Sequence, residues 1–117
     1  GCAQRPGQVE LSAITYDFGT IPNTEPVTQV FEVRNVGQGT LEITGVSTSC
    51  GCTTAEVDRR QLGPDEHAEL AVTYDPQAHG STTGQFMRVV YVRTNDPDVA
   101  ESQLTIQVNV VASQEEG

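Results

Sequence analysis

Apolar side chains recur at every second position along most of this chain, and turn-forming residues break the pattern about every ten residues. A period of two places successive side chains on opposite faces of an extended backbone, so one face can be buried while the other meets water. Val27–Asn35 (VTQVFEVRN) is the clearest case, with Phe31 and Val33 on one face and Glu32 and Arg34 on the other. The same alternation marks Val9–Leu11, Tyr16–Ile21, Leu41–Ile43, Ala68–Tyr74, Gln85–Thr94 and Gln103–Val111 as strands. Between them lie Pro22–Pro26, Gly37–Gly39, Leu62–Asp65, Asp75–Gly84 and Asn95–Asp98, rich in the residues that turns select. No stretch sustains a helical apolar period. About seven short strands in a chain of 117 residues pack as two facing sheets. The expected fold is therefore all-β: an immunoglobulin-like antiparallel β-sandwich of about seven strands. Tryptophan is absent and no widely spaced cysteine pair exists, so the cross-sheet disulfide of antibody domains is missing.

Residues 1–8 read as a flexible N-terminal tether, 9–112 as the sandwich and 113–117 as an acidic tail. Acidic residues number 16 against 6 basic ones, with no lysine, for a net charge of -10. Such a surface repels phosphate backbones and anionic bilayers, which argues against nucleic-acid binding and against adsorption to a charged membrane. No run reaches the ~18 apolar residues of a membrane-spanning helix. Membrane contact is expected only through Cys2. The chain opens Gly1-Cys2, and bacterial lipoproteins are cleaved just before a cysteine that becomes lipidated, so Cys2 is the expected lipid anchor.

Cys50 and Cys52 carry the remaining cysteine chemistry, in Ser47-Thr48-Ser49-Cys50-Gly51-Cys52-Thr53-Thr54. In a regular strand they would share a face about 6.6 Å apart, whereas a disulfide needs Cβ atoms roughly 3.5–4.5 Å apart. A straight strand forbids the bond, but Gly51 can take positive φ and let the sulfurs converge. Four outcomes stay open: small buried residues, a disulfide, a redox-active dithiol, or a soft-metal grip. Two thiolates suit Cu(I), with Met87 as the available thioether. Zinc would need four ligands, and Cys50, Cys52, His67 and His79 supply them at a spacing that matches no common zinc motif. Neither histidine has an orienting partner or a neighbouring nucleophile motif, and each reads as a surface residue. Asp17-Phe18-Gly19 matches a kinase metal-binding tripeptide, but the chain is far too short for that fold. Asp96 and Asp98 flank Pro97 and read as a turn, since calcium needs about six to eight oxygens.

YDFGTI, FEVRNVGQGTLEITGVSTSCGCTT, LGPDEHAELAVTYDP, TTGQF and VRTNDP follow one another as in the bacterial family called domain of unknown function 1573. The resemblance spans about residues 16–111, and SCGCT is its most specific element. That family is similar to the immunoglobulin-like domains related to major sperm protein. Where it usually shows Pro-Gly ahead of the strand near His67, this chain has Gly63-Pro64-Asp65. The resemblance implies the sandwich and an envelope or extracellular setting, and carries no established activity. The expectation is a non-enzymatic module at the cell envelope that binds another envelope or surface protein. The alternative is a copper(I)- or thiol-handling protein working through Cys50-Gly51-Cys52.

Overall fold

The alternation at Val27–Asn35 becomes a strand with those same bounds in the computed structural model of the chain, which describes residues 5–78 and 83–112. The strands are β1 (Val9–Leu11), β2 (Thr15–Pro22), β3 (Val27–Asn35), β4 (Leu41–Thr48), β5 (Thr53–Val57), β6 (Gln61–Leu62), β7 (His67–Tyr74), β8 (Gly84–Thr94) and β9 (Glu101–Val111). They form a four-stranded sheet ordered β1-β3-β7-β5 and a five-stranded sheet ordered β2-β9-β8-β4-β6. The fold is the expected sandwich, with β5 and β6 as additions. All pairings are antiparallel except β2 with β9, which is parallel.

The inward members of each alternation meet between the sheets. Val33, Leu70 and Val72 from one sheet and Leu41, Val90, Val92, Leu104 and Ile106 from the other are fully enclosed. Burying a side chain of this kind contributes roughly 1.5–3 kcal/mol. Tyr16 packs edge-on against Phe18 and Phe31, at centroid distances of 5.2 and 5.3 Å.

Local chemistry explains the irregular points. The chain changes sheets between β1 and β2: Ser12 donates to Glu32 O, whereas Ile14 O accepts from Thr105 N–H. At Asp17-Phe18-Gly19 the β2–β9 register slips between Asp17 and Thr20. Gly19 takes φ 78° there, and its amide donates to Asp17 Oδ1 at 2.7 Å. The tripeptide is a β-bulge. Ahead of β7, Glu66 N–H closes a turn onto Gly63 O at 3.0 Å. Asp65, at φ 70°, occupies the left-handed position that glycine would fill in a Pro-Gly turn.

Residues 5–8 are not a tether. Gln8 O accepts from Val36 N–H at 2.8 Å and Pro6 O from Gly39 N–H at 3.1 Å. Asn35, fully buried, clamps this segment. Its Oδ1 accepts from the Gln8 and Gly37 amides at 3.0 and 2.9 Å. Its Nδ2 donates to Gly39 O and Leu62 O at 2.7 and 2.9 Å. Approach is so close that a Cβ on Gly37 would sit 2.5 Å from the Gln8 amide nitrogen. Asp96 fastens the next residue in the same way: its carboxylate accepts from the amides of Val9, Asp98 and Val99 at 3.0, 2.8 and 3.2 Å. Burial pushes the Asp96 carboxyl up, but the amide bonds outweigh it and hold it below the usual carboxylate range.

Candidate functional site

At the far end of β4 the chain passes from the five-stranded to the four-stranded sheet, and it does so through the cysteines. Cys50-Gly51-Cys52-Thr53 is a turn closed by Thr53 N–H to Cys50 O at 3.1 Å. It brings the two cysteine Cα atoms to 5.2 Å, and the sulfurs are joined as a disulfide. Gly51 does not supply this convergence through a left-handed backbone, because among the described glycines only Gly19 and Gly84 have positive φ. The turn itself does. Thr48 Oγ1 braces it, lying 2.9 Å from Cys50 O and 2.8 Å from Thr53 O. Asp75 N–H ties Cys52 O to the end of β7 at 2.8 Å.

The two sulfurs have different surroundings. Cys52 is buried, Cys50 half-buried and Gly51 exposed. Arg88 on β8 reaches in and donates Nε–H to Cys52 Sγ at 3.2 Å. Its Nη1 donates to Met87 O at 2.8 Å, and its guanidinium lies 5.1 Å from the Phe86 ring centroid. Phe86 in turn packs against Tyr74 at 6.5 Å. Among the described residues no carboxylate forms an ion pair with Arg88. Burial pushes the Tyr74 hydroxyl above its usual range, with Arg88 opposing and Asp75 adding to the shift.

Arg88 escapes a sequence reading that attends only to cysteine and histidine. Its signal lies in the parity of β8: Phe86, Arg88, Val90 and Val92 alternate on the inward face, and Arg88 is the one charged residue among them. The same parity turns Met87 outward. Met87 is 60% exposed on the opposite face of the sheet, so it does not join Cys50 and Cys52. His67 begins β7 and pairs with Arg34, whereas the cysteine turn abuts Tyr74 at the other end of that strand. His79 and Cys2 lie outside the described residues. Among the described residues, no three or more His, Cys, Asp or Glu side chains cluster as a metal site. Asp96 spends its oxygens on backbone amides, as the turn reading of Asn95–Asp98 requires.

The two outer faces differ in charge. On the four-stranded sheet, Glu32 and Glu69 stand directly opposite each other, with Glu10 and Glu56 on the same face and Arg34 as a cation 3.5 Å from Glu32. Like charges in that arrangement repel. The five-stranded sheet presents Gln85, Met87, Val89 and Tyr91 from β8 beside Asn109, Gln107, Thr105 and Gln103 from β9. Its charges stand at the margins: Asp17 on β2, Glu42 beside the edge strand β6, and an Arg93–Glu101 pair at 3.3 Å. A shallow cleft of ≈ 370 Å³ opens there, lined by Asp17, Gln85, Met87, Gln107 and Asn109 among others.

Two facing sheets with consecutive short strands β1 and β2 on different sheets make an immunoglobulin-like β-sandwich. The ASH/PapD-like domain 7 of human CEP192 superposes with a TM-score of 0.69 at 11% identity, over 91% of this chain and 87% of that one. The chain belongs to the family described as a protein of unknown function (DUF1573), which matches residues 9–110. A protein of unknown function from Porphyromonas gingivalis W83 gives a TM-score of 0.79 at 27% identity. The match covers 88% of this chain but 46% of that one. The VesB protease of Vibrio cholerae gives 0.71 at 17% identity, over 87% of this chain and 32% of the protease. With CEP192 and VesB the likeness is one of fold alone. None of the curated proteins matches.

Proposed function

We propose that the chain is a non-enzymatic immunoglobulin-like module that works outside the cytoplasm, anchored to the bacterial cell envelope through a lipidated Cys2. It binds another envelope or surface protein through the outer face of its five-stranded sheet. One observation carries the reading: a chain of net charge -10 keeps the middle of this face free of charge. It sets Met87 and Tyr91 among amide and hydroxyl side chains there. Protein interfaces are depleted in charge at their centres and enriched in methionine and aromatic residues. The acidic opposite face suits a solvated surface instead. A disulfide in the described fold is in keeping with an oxidising compartment.

The test places a photo-crosslinking amino acid at Gln107 or at Glu69 in cells that make the protein naturally. A discrete crosslinked partner is expected from position 107, with loss of the product when Met87→Arg is added. Equal products from both positions, or products insensitive to Met87→Arg, would sink the proposed face. Labelling with radioactive palmitate that survives Cys2→Ser would sink the anchor.

A further inference from the structure

The disulfide does little as a staple. It closes a loop with a sequence separation of 2, and a cross-link over so short a span removes little freedom from the unfolded chain. Its surroundings are those of a reactive group. Cys50 is half-buried and its Sγ accepts from Cys52 N–H at 3.2 Å, whereas Cys52 is buried beside a cation that no carboxylate neutralises among the described residues.

We propose that Cys50–Cys52 is a thiol–disulfide exchange site with a fixed polarity: Cys50 is the sulfur attacked and Cys52 is the leaving group. The co-reactant is a dithiol. Its thiolate bonds to Cys50 Sγ, and the pair of electrons of the broken Cys50–Cys52 bond moves to Cys52. That thiolate forms where Arg88 Nε–H already points, with Thr53 Oγ1 at 3.6 Å. The second thiol of the co-reactant loses its proton and attacks its own sulfur in the mixed disulfide. This releases Cys50, which takes up a proton. Two electrons pass from the dithiol to the cysteine pair, and the dithiol leaves as a disulfide.

Direction follows from access and from leaving-group stability. Exchange rates depend on which sulfur an incoming thiolate can reach and rise as the departing thiolate is stabilised. Gly51 is exposed and Cys50 half-buried, so an incoming thiolate reaches Cys50 more readily than the buried Cys52. Arg88 acts as a positioning and charge-stabilising residue, held in turn by Met87 O and the Phe86 ring.

The experiment mixes the oxidised full chain with dithiothreitol, quenches with acid and follows reduction by mass spectrometry. Arg88→Met is expected to slow reduction about tenfold, as loss of a charged partner worth roughly 1.4 kcal/mol in the transition state would do. Arg88→Lys should recover part of the rate. A parallel reaction with glutathione, mapped after digestion, should place the mixed disulfide on Cys50 in the wild-type chain. An adduct on Cys52, or equal rates in wild type and a folded Arg88→Met, would overturn the proposal. If Arg88→Met does not fold, the glutathione map and the Arg88→Lys rate decide it.

Discussion

Replacing Asn35 by alanine removes a buried side chain whose four hydrogen bonds join three parts of the chain: the segment before β1, the β3–β4 turn and β6. Two of the stranded partners, Gly37 N–H and Leu62 O, are in buried bonds. Each buried group left unpaired costs about 1–3 kcal/mol. The bonds to Gln8 and Gly39 are part-buried, and water can partly replace them. The expected loss is therefore about 4 kcal/mol, a large share of the ~5–15 kcal/mol that holds a domain together. With a urea m-value near ~1.5 kcal/mol/M, the unfolding midpoint should fall by about 2–3 M. Hydrogen exchange supplies a local readout, since the Gln8 and Gly37 amides should lose protection first. A loss below about 1 kcal/mol, on the scale of one ordinary hydrogen bond, would refute the reasoning. So would unchanged exchange at those amides.

Asp96 should impose a pH dependence on stability. Its carboxyl lies below its ordinary value of 3.8 because folding outweighs the burial cost with amide bonds. The stabilisation is present above the unfolded value and is lost as pH falls through the folded one. Asp96→Asn should reduce the fall in urea-unfolding stability as pH drops below the ordinary carboxylate range, and an identical slope in both proteins would contradict this. The left-handed backbone gives a matched pair. Asp65→Gly should stabilise and Gly19→Ala should destabilise, each by about 1 kcal/mol. Gly19 has open space around it, so its penalty is purely conformational. Thermal unfolding measures both, and a change of the opposite sign in either would remove the backbone explanation.

Strand positions were legible because period-two alternation is a direct image of a half-buried sheet. Val9–Leu11 and Val27–Asn35 match β1 and β3 residue for residue, and β8 and β9 differ from expectation only at their starts. β5 is hard to read because the inward members of Thr53-Thr54-Ala55-Glu56-Val57 are Thr53, Ala55 and Val57, only one of them a large apolar residue. β6 is two residues long, too short to display any period. The fate of residues 5–8 was not legible: Pro6 and Gly7 suit a tether equally well. What docks them is Asn35, 27 positions away from Gln8. The cysteines were visible from the outset, but Arg88 becomes a partner only when β8 is laid beside the β4–β5 crossing.

Docking of residues 5–8 also sets how the molecule would stand on a bilayer. From a lipidated Cys2 to Arg5 the backbone can stretch about 11 Å at most, so the sandwich would ride close to the headgroups rather than on a long leash. The segment sits against the start of β4, where Gly7 touches Leu41. The cysteine turn follows the opposite end of that strand, and Leu41 to Thr48 spans about 23 Å. An anchor at Cys2 would thus join the sandwich at the end of β4 opposite the disulfide. Exchange at the cysteine turn would then take place roughly 20 Å along the strand from the anchored segment.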